Sequence, residues 1–309
     1  MIGFIGAVLF SGRLFFAKGI YVIYQMEQVI QHLRFLKHSA SNTVNYLSGK
    51  QIPKIAFFCM GMLRRVADIA IGTEPLCAGL EQHKQYDFSI GILFRTLLLD
   101  VLISMNLLNR IYELEAEKKS ADDSKVELDK LCDIFLSDGL KQTLSYIEDA
   151  EKYYKKTPEE TADAFKNIAK TFSVFFEDYA GDGSKPILKN KQPVIAKALF
   201  ETLAKGETLN EVSKLYDTYA YLSKYDHFGM LYYHTISEPL ETKQTIYEGS
   251  ARAFIAHNAL LHVILARHLD NDEFINKQKD EANHYLLSQV IINLDGFLSL
   301  INPNPDGDV

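Results

Sequence analysis

Apolar residues recur at spacings of three and four along most of the chain from Met26 onward. This is the period of one face of an amphipathic helix, and the alternation typical of a half-buried strand is almost absent. The pattern therefore predicts an all-α protein, a multi-helix bundle of about eight to ten helices. The predicted helices cover 26–48, 53–71, 86–117, 124–155, 158–179, 193–204, 208–225, 230–236, 240–269 and 271–300.

Two of these helices begin at residues with a clear physical signal. Pro53 can open a helix, because its missing N–H would have no partner there in any case. The run Thr157-Pro158-Glu159-Glu160 predicts a capping box, in which the threonine oxygen accepts an N–H of the first turn and Glu160 reaches back. The glycines and proline between Gly181 and Pro186 then predict a loop.

The segment 86–117 is the most apolar part of the helical pattern and has hardly any polar face. A helix that is apolar all round lies at the centre of a bundle, so we expect this one to be central. The segments 124–155 and 158–179 each combine a charged face with an aromatic or apolar one, which predicts that they pack on the outside.

The first 25 residues are strongly apolar but are interrupted by Arg13 and Lys18. Their longest uncharged run is shorter than the roughly 20 residues that a membrane-spanning helix needs. They also lack the clear basic start and cleavage site of a secretory signal. A membrane anchor, a degenerate signal and an extension upstream of a true start at Met26 all remain open, and we favour the last. Residues 26–302 are then expected to form a single helical domain, with 303–309 a disordered tail.

Composition narrows the function classes. Hydrophobic residues make up 47% of the chain and charged residues 24%, which is typical of a globular protein and not of a disordered or fibrous one. The net charge of −7 disfavours bulk nucleic-acid binding, which usually uses a basic face. Three cysteines at wide spacing form no CxxC pattern and favour a reducing compartment, so a cytoplasmic location is expected, with membrane contact only through residues 1–25.

Arg95 stands out because it interrupts the most apolar helix. Burying a guanidinium costs several kcal/mol unless hydrogen bonds or a carboxylate satisfy it. Asp100 is five residues further on and about 140° round the helix axis, and Asp87 is two turns back, so neither is well placed within the helix. The partner of Arg95 is therefore expected to come from another segment, either in a structural ion pair or in a site that binds an anion or a substrate.

The run Ser223-Lys224-Tyr225-Asp226-His227 is the one place where several polar groups collect before a glycine. His227 is the best candidate acid or base, because imidazole titrates near neutrality, and Asp226 precedes it directly. Ser223 lies one helical turn before His227, which puts both on one face if the helix persists. The chain has no G-x-S-x-G elbow that would expose Ser223 as the nucleophile of a Ser/His pair. A histidine that bonds a backbone carbonyl at the helix end is therefore the simpler interpretation.

Arg252 and His257 fit the R-x4-6-H spacing of the helical HEPN ribonucleases, to which the chain has a distant likeness. That alternative requires both side chains to face solvent. The spacing of His257, His262 and His268 does not place metal ligands on one face, and no metal site is predicted. The chain also has no P-loop and no GxGxxG after a strand, so no cofactor is predicted.

Two segments together resemble a bacterial family of uncharacterised all-helical proteins, namely 89–100 around Arg95 and 221–228 around Ser223 and His227. Members of that family carry an apolar helix with an embedded arginine, usually followed by an acid, and a later Ser-x-x-x-His segment. In this chain the acid is displaced to Asp100. The resemblance implies a helical bundle in which Arg95 meets the Ser223/His227 segment, and it implies no activity.

These observations predict a helical-bundle protein with a polar pocket or partner-binding surface and no assignable catalytic activity. Its ligand would be an unknown small molecule or protein. The pocket is expected around Arg95, Asp100, Ser223, Asp226 and His227. The alternatives are a HEPN-like RNA-cleaving or toxin-related enzyme that uses Arg252 and His257, and a membrane-associated accessory protein that uses residues 1–25.

Overall fold

A computed structural model describes residues 21–190, 194–203, 209–226, 235, 237–269 and 272–301, without the side chains of 21–25, 154, 209–214, 226 and 290–301. In this part of the chain there are nine α-helices and no strands, which confirms the predicted all-α class. The helices are α1 (Tyr21–Leu47), α2 (Lys54–Gly79), α3 (Tyr86–Ala116), α4 (Ala121–Tyr154), α5 (Pro158–Thr171), α6 (Ala196–Leu203), α7 (Leu209–Leu222), α8 (Leu240–His268) and α9 (Glu273–Ile301).

The chain divides into two compact units. The first comprises 1–109 and 199–309, and the second comprises 110–198. Compactness alone does not show that a unit folds independently, so the single helical domain over 26–302 stays a prediction. The possible anchor within 1–20, the tail 303–309 and most of the predicted helix 230–236 lie outside the described residues.

In the first unit, α1 packs against α2 and α8. Two buried hydrogen bonds join α1 to α8: Thr43 Oγ1 lies 2.8 Å from His262 Nε2, and the Asn258 side-chain amide donates to Ser39 Oγ over 3.0 Å. Both residue numbers rise together, so the two helices run parallel. His262 Nδ1 also lies 2.8 Å from the Asn258 carbonyl, which can only accept. Nδ1 therefore carries the proton, and Nε2 accepts from Thr43.

Helix α8 is enclosed by its neighbours along most of its length. It packs against α1, α2 and α9, and Phe94 of α3 makes edge-to-face contacts with Tyr247 and Phe254. The sequence predicted α3 as the central helix, and α3 is indeed largely buried, but α8 is equally a core helix. The sequence pattern of α8 did not indicate its burial, because many of its buried side chains are polar. These are Lys243, Gln244, Glu248, Ser250, His257, Asn258 and His262.

Helix α3 is long and apolar enough to cross a membrane by length and composition, and it is the one such helix among the described residues. Of its most apolar stretch, 56% is buried inside the protein. A core helix of a soluble protein has the same composition, so this finding is weak evidence either way, and the cytoplasmic location stays a prediction.

In the second unit, α4 and α5 pack around an apolar core. The predicted capping box is confirmed: Thr157 Oγ1 accepts from the Glu160 N–H, and the Glu160 carboxylate accepts from the Thr157 N–H. The core of this unit consists of Leu140, Leu144, Ile147, Phe165, Ala169, Phe176 and Leu188.

The predicted helix 158–179 is too long. Helix α5 ends at Thr171, a 3-10 turn follows over Ser173–Phe175, and Phe176 pairs with Leu188 in an isolated antiparallel bridge. The phenylalanines at 172, 175 and 176 mimic helical spacing, but Phe176 is buried by the bridge instead of by a helix face.

The prediction of 53–71 was too short, since α2 continues to Gly79 through Pro75. Pro75 removes one backbone hydrogen bond, and the helix continues through it with Thr73 and Cys77 buried on either side.

Three buried imidazoles predict a loss of stability in acid. Burial and, as the smaller cause, the charge of Arg252 lower the pKa of His32 to about 4. Burial and, again as the smaller cause, the charge of Arg65 lower the pKa of His257 to about 3. Burial lowers the pKa of His262 to about 4. The unfolded chain takes up these protons near pH 6.5 and the folded chain does not, so the free energy of unfolding should fall as the pH drops from about 6.5 towards 4. Each histidine contributes about 1.4 kcal/mol per pH unit. Urea unfolding at a series of pH values measures the slope.

The variant His262→Gln should flatten that slope by the share of one histidine, whereas His38→Gln, which changes an exposed histidine on α1, should leave it unchanged. An equal slope in wild type and His262→Gln would contradict the prediction.

Candidate ligand-binding site

Arg95 meets the segment that the sequence singled out. Its Nε–H donates to Ser223 Oγ over 3.1 Å, and Nη2 lies 3.4 Å from the Tyr219 hydroxyl oxygen. The guanidinium carbon also lies 5.4 Å from the centre of the Tyr219 ring, within the range of a cation–π contact. The partner of Arg95 thus comes from another segment, as predicted, and we call Arg95, Tyr219 and Ser223 the Arg95 site.

Ser223 is oriented to accept from Arg95. Its hydroxyl donates to the Tyr219 carbonyl over 2.8 Å, one helical turn back, so a lone pair of Oγ is turned towards the guanidinium. Arg95 is half-buried. Contacts with Ser223 and with the hydroxyl and ring of Tyr219 therefore fix the direction of a charged, planar group at the edge of the helical core.

Asp100 lies away from this site. Its carboxylate accepts two hydrogen bonds from Arg65 of α2, over 2.7 and 3.2 Å, and the residue is 3% exposed. Burial raises the pKa of Asp100, against the opposing hydrogen bond and charge of Arg65. The five-residue spacing from Arg95 turns Asp100 towards α2, so its place in the predicted pocket was wrong.

Asp226 and His227 cannot be placed in the site. Asp226 ends the 3-10 turn Ser223–Asp226, and its side chain lies outside the described residues, as does all of His227. Their roles stay predictions.

A second polar cluster, which the sequence did not predict, lies next to the Arg95 site. The Asp87 carboxylate accepts hydrogen bonds from the Tyr225 hydroxyl over 2.8 Å, the Lys243 ammonium over 2.8 Å and the Tyr247 hydroxyl over 2.6 Å. Asp87 and Lys243 are both buried. We call these four residues the Asp87 cluster.

The Asp87 cluster has a structural role, because its hydrogen bonds hold three elements of the fold together. Burial, followed by the Asp87 charge, raises the pKa of both Tyr225 and Tyr247, so both phenols stay protonated and act as donors. The cluster joins the first turn of α3, the 3-10 turn and α8. It has no exposed group that would act as an acid, base or nucleophile.

Gly91 links the cluster to the Arg95 site. It lies on α3 between Asp87 and Arg95, and the Tyr225 ring lies directly on it: a Cβ at Gly91 would approach that ring to 2.7 Å. Only a glycine allows this contact. Two residues of one 3-10 turn, Ser223 and Tyr225, are thereby held against successive turns of α3.

The sequence carried one signal of this cluster. Lys243 and Tyr247 are spaced i,i+4 on α8 and therefore share a face. Nothing in the local pattern indicates that this face meets Asp87, because the contacts span 138 to 160 residues of chain.

In the alternative ribonuclease pair, His257 does not face solvent. His257 is 1% exposed, and its Nδ1 lies 3.0 Å from Ser104 Oγ in the core. The Ser104 hydroxyl donates to the Asp100 carbonyl, so it accepts from His257. Arg252 bonds Glu248 one turn away. With a pKa near 3 and no access for a phosphodiester, His257 cannot serve as the predicted acid or base, and this alternative was wrong in its geometry.

Among the described residues, no group of three or more His, Cys, Asp and Glu side chains is placed to hold a metal ion. No family model, curated protein or solved structure matches the chain. The resemblance to the bacterial helical family therefore stays a prediction.

Replacing Gly91 by alanine should destabilise the protein. The added methyl group would overlap the Tyr225 ring, and overpacking of this kind costs about 1–3 kcal/mol. Gly61→Ala is the matched control, because Gly61 lies inside α2 and a Cβ added there would meet no atom within 4 Å. That variant should gain up to about 1 kcal/mol from helix propensity. Urea unfolding of both variants gives the two signs, and a stabilising Gly91→Ala would contradict the close contact.

Replacing Asp87 by alanine should cost about 3–5 kcal/mol, because the change removes the carboxylate of a buried ion pair and the acceptor of two phenols. Asp68→Ala, at an exposed position on α2, should stay within about 0.5 kcal/mol of wild type. Equal unfolding free energies for the two variants would show that the Asp87 cluster does not stabilise the fold.

Proposed function

We propose that the protein binds a small anionic ligand, such as a phosphate or a carboxylate, at the Arg95 site. The observation that carries the proposal is the fixed direction of the Arg95 guanidinium, which is set by Ser223 and by the face of Tyr219. A planar guanidinium of fixed direction matches the geometry of carboxylate and phosphate oxygens. No catalytic step is assigned.

The surroundings support binding more than structural pairing alone. Arg95 is half-buried, and partial burial strengthens electrostatic interactions relative to water. The neighbouring Asp87 cluster fixes the 3-10 turn that carries Ser223, so the site is held in place before a ligand arrives. A site whose groups are already ordered loses less entropy on binding.

A thermal-shift titration with phosphate, pyrophosphate, sulfate and small carboxylates tests the proposal. A ligand that binds only the native state stabilises it by about 2.7 kcal/mol at 100 times its Kd, so at least one of these anions should raise the Tm of wild type. Arg95→Gln removes the charge and should abolish the shift. Ser223→Ala removes the acceptor that orients Nε and should weaken it.

Arg34→Gln is the matched control, because Arg34 is an exposed arginine that pairs with Glu74 in the same unit. Its shift should equal that of wild type. An unchanged shift in a folded Arg95→Gln, or no shift with any of the anions, would refute the proposal.

A further inference from the structure

A groove of about 390 Å³ crosses the second unit. One side is formed by Lys141, Leu144 and Ser145 of α4, and the other by the segment 185–188. We call it the α4 groove. Its floor is apolar, because Leu144 and Leu188 belong to the core of this unit.

The segment 185–188 is extended. Pro186 and Leu188 are buried, whereas Ile187 between them is 49% exposed. This period of two is that of a strand. The segment is paired on one edge only, where the Glu177 N–H donates to the Ile187 carbonyl over 2.8 Å and the Lys189 N–H donates to the Phe175 carbonyl over 2.9 Å.

The other edge of this segment is open. Leu188 and Phe176 form the pair between those two hydrogen bonds, so the N–H and C=O of Leu188 point away from Phe176. In the part of the chain that the structure describes, neither group has a hydrogen-bond partner. An open strand edge beside an apolar groove is the arrangement that binds extended peptides by strand addition.

The charges at the rim determine which peptide fits. At one end, Lys185 Nζ lies 2.6 Å from a carboxylate oxygen of Glu148. Towards the other end lies Lys141, an exposed lysine with no ion-pair partner among the described residues. The eight residues from Lys141 to Glu148 on α4 span about 10 Å, and so does the extended segment facing them. This length is room for about three residues of an extended chain.

We propose that the α4 groove binds an extended, acidic segment of a partner protein. The backbone of that segment would pair with the N–H and C=O of Leu188, an apolar side chain would lie on Leu144, and a carboxylate would meet Lys141. A second copy of the chain is a poor occupant, because symmetric pairing of this edge would bring the lysines at 185 and 189 of both copies together.

The test uses the full chain and two fluorescein-labelled peptides, one in which Asp and Val alternate and one in which Lys and Val alternate. Fluorescence anisotropy should detect binding of the acidic peptide only. Lys141→Glu should weaken that binding by about tenfold or more and should favour the basic peptide. Lys130→Glu changes an exposed lysine of the same helix outside the groove and should leave both affinities unchanged.

Hydrogen exchange separates strand addition from simple charge attraction, since the Leu188 amide should exchange more slowly in the complex. Failure of the acidic peptide to bind, equal affinity for wild type and Lys141→Glu, or an unprotected Leu188 amide would overturn the proposal. Self-association that Ile187→Asp abolishes would assign the groove to a second copy and would also overturn it.

Discussion

Burying a carboxylate costs several kcal/mol unless charge and hydrogen bonds compensate it, and Asp87 meets this constraint with donors from distant parts of the chain. It lies in the first turn of α3, where the helix dipole favours a negative charge. Tyr225 reaches it from the 3-10 turn, and Lys243 and Tyr247 reach it from α8. Three elements are therefore positioned by one group, and moving any of them leaves a buried polar atom without its partner.

The Arg95 site depends on this arrangement. Tyr225 is anchored to Asp87 and lies on Gly91, and Ser223 is two residues away in the same 3-10 turn. The Asp87 cluster therefore determines the position of the Ser223 hydroxyl, which bonds Arg95. The Asp87 cluster inside the core therefore keeps Arg95 and its partners in position at the edge of the core. Supporting residues of this kind hold a binding site in a fixed geometry.

The helices could be predicted from the sequence because their apolar period is local. The capping box at Thr157 and the extent of α3 followed from a few adjacent residues. The external partner of Arg95 was also predictable, since no residue of its own helix was well placed. The Asp87 cluster was not, because a buried lysine and a surface lysine look alike in a sequence, and only the packing of α8 against α3 distinguishes them. The enclosure of α8 was missed for the same reason: its buried polar residues resemble those of a solvated face.

The parallel pairing of α1 with α8 has a consequence for synthesis. The bonds Thr43–His262 and Ser39–Asn258 each join residues 219 positions apart. As the chain leaves the ribosome, α1 emerges long before its partner, and its apolar face must be covered by α2 or remain in contact with water until α8 appears. Contacts of such separation are slow to form, so α1 is exposed to premature association with other molecules until α8 appears.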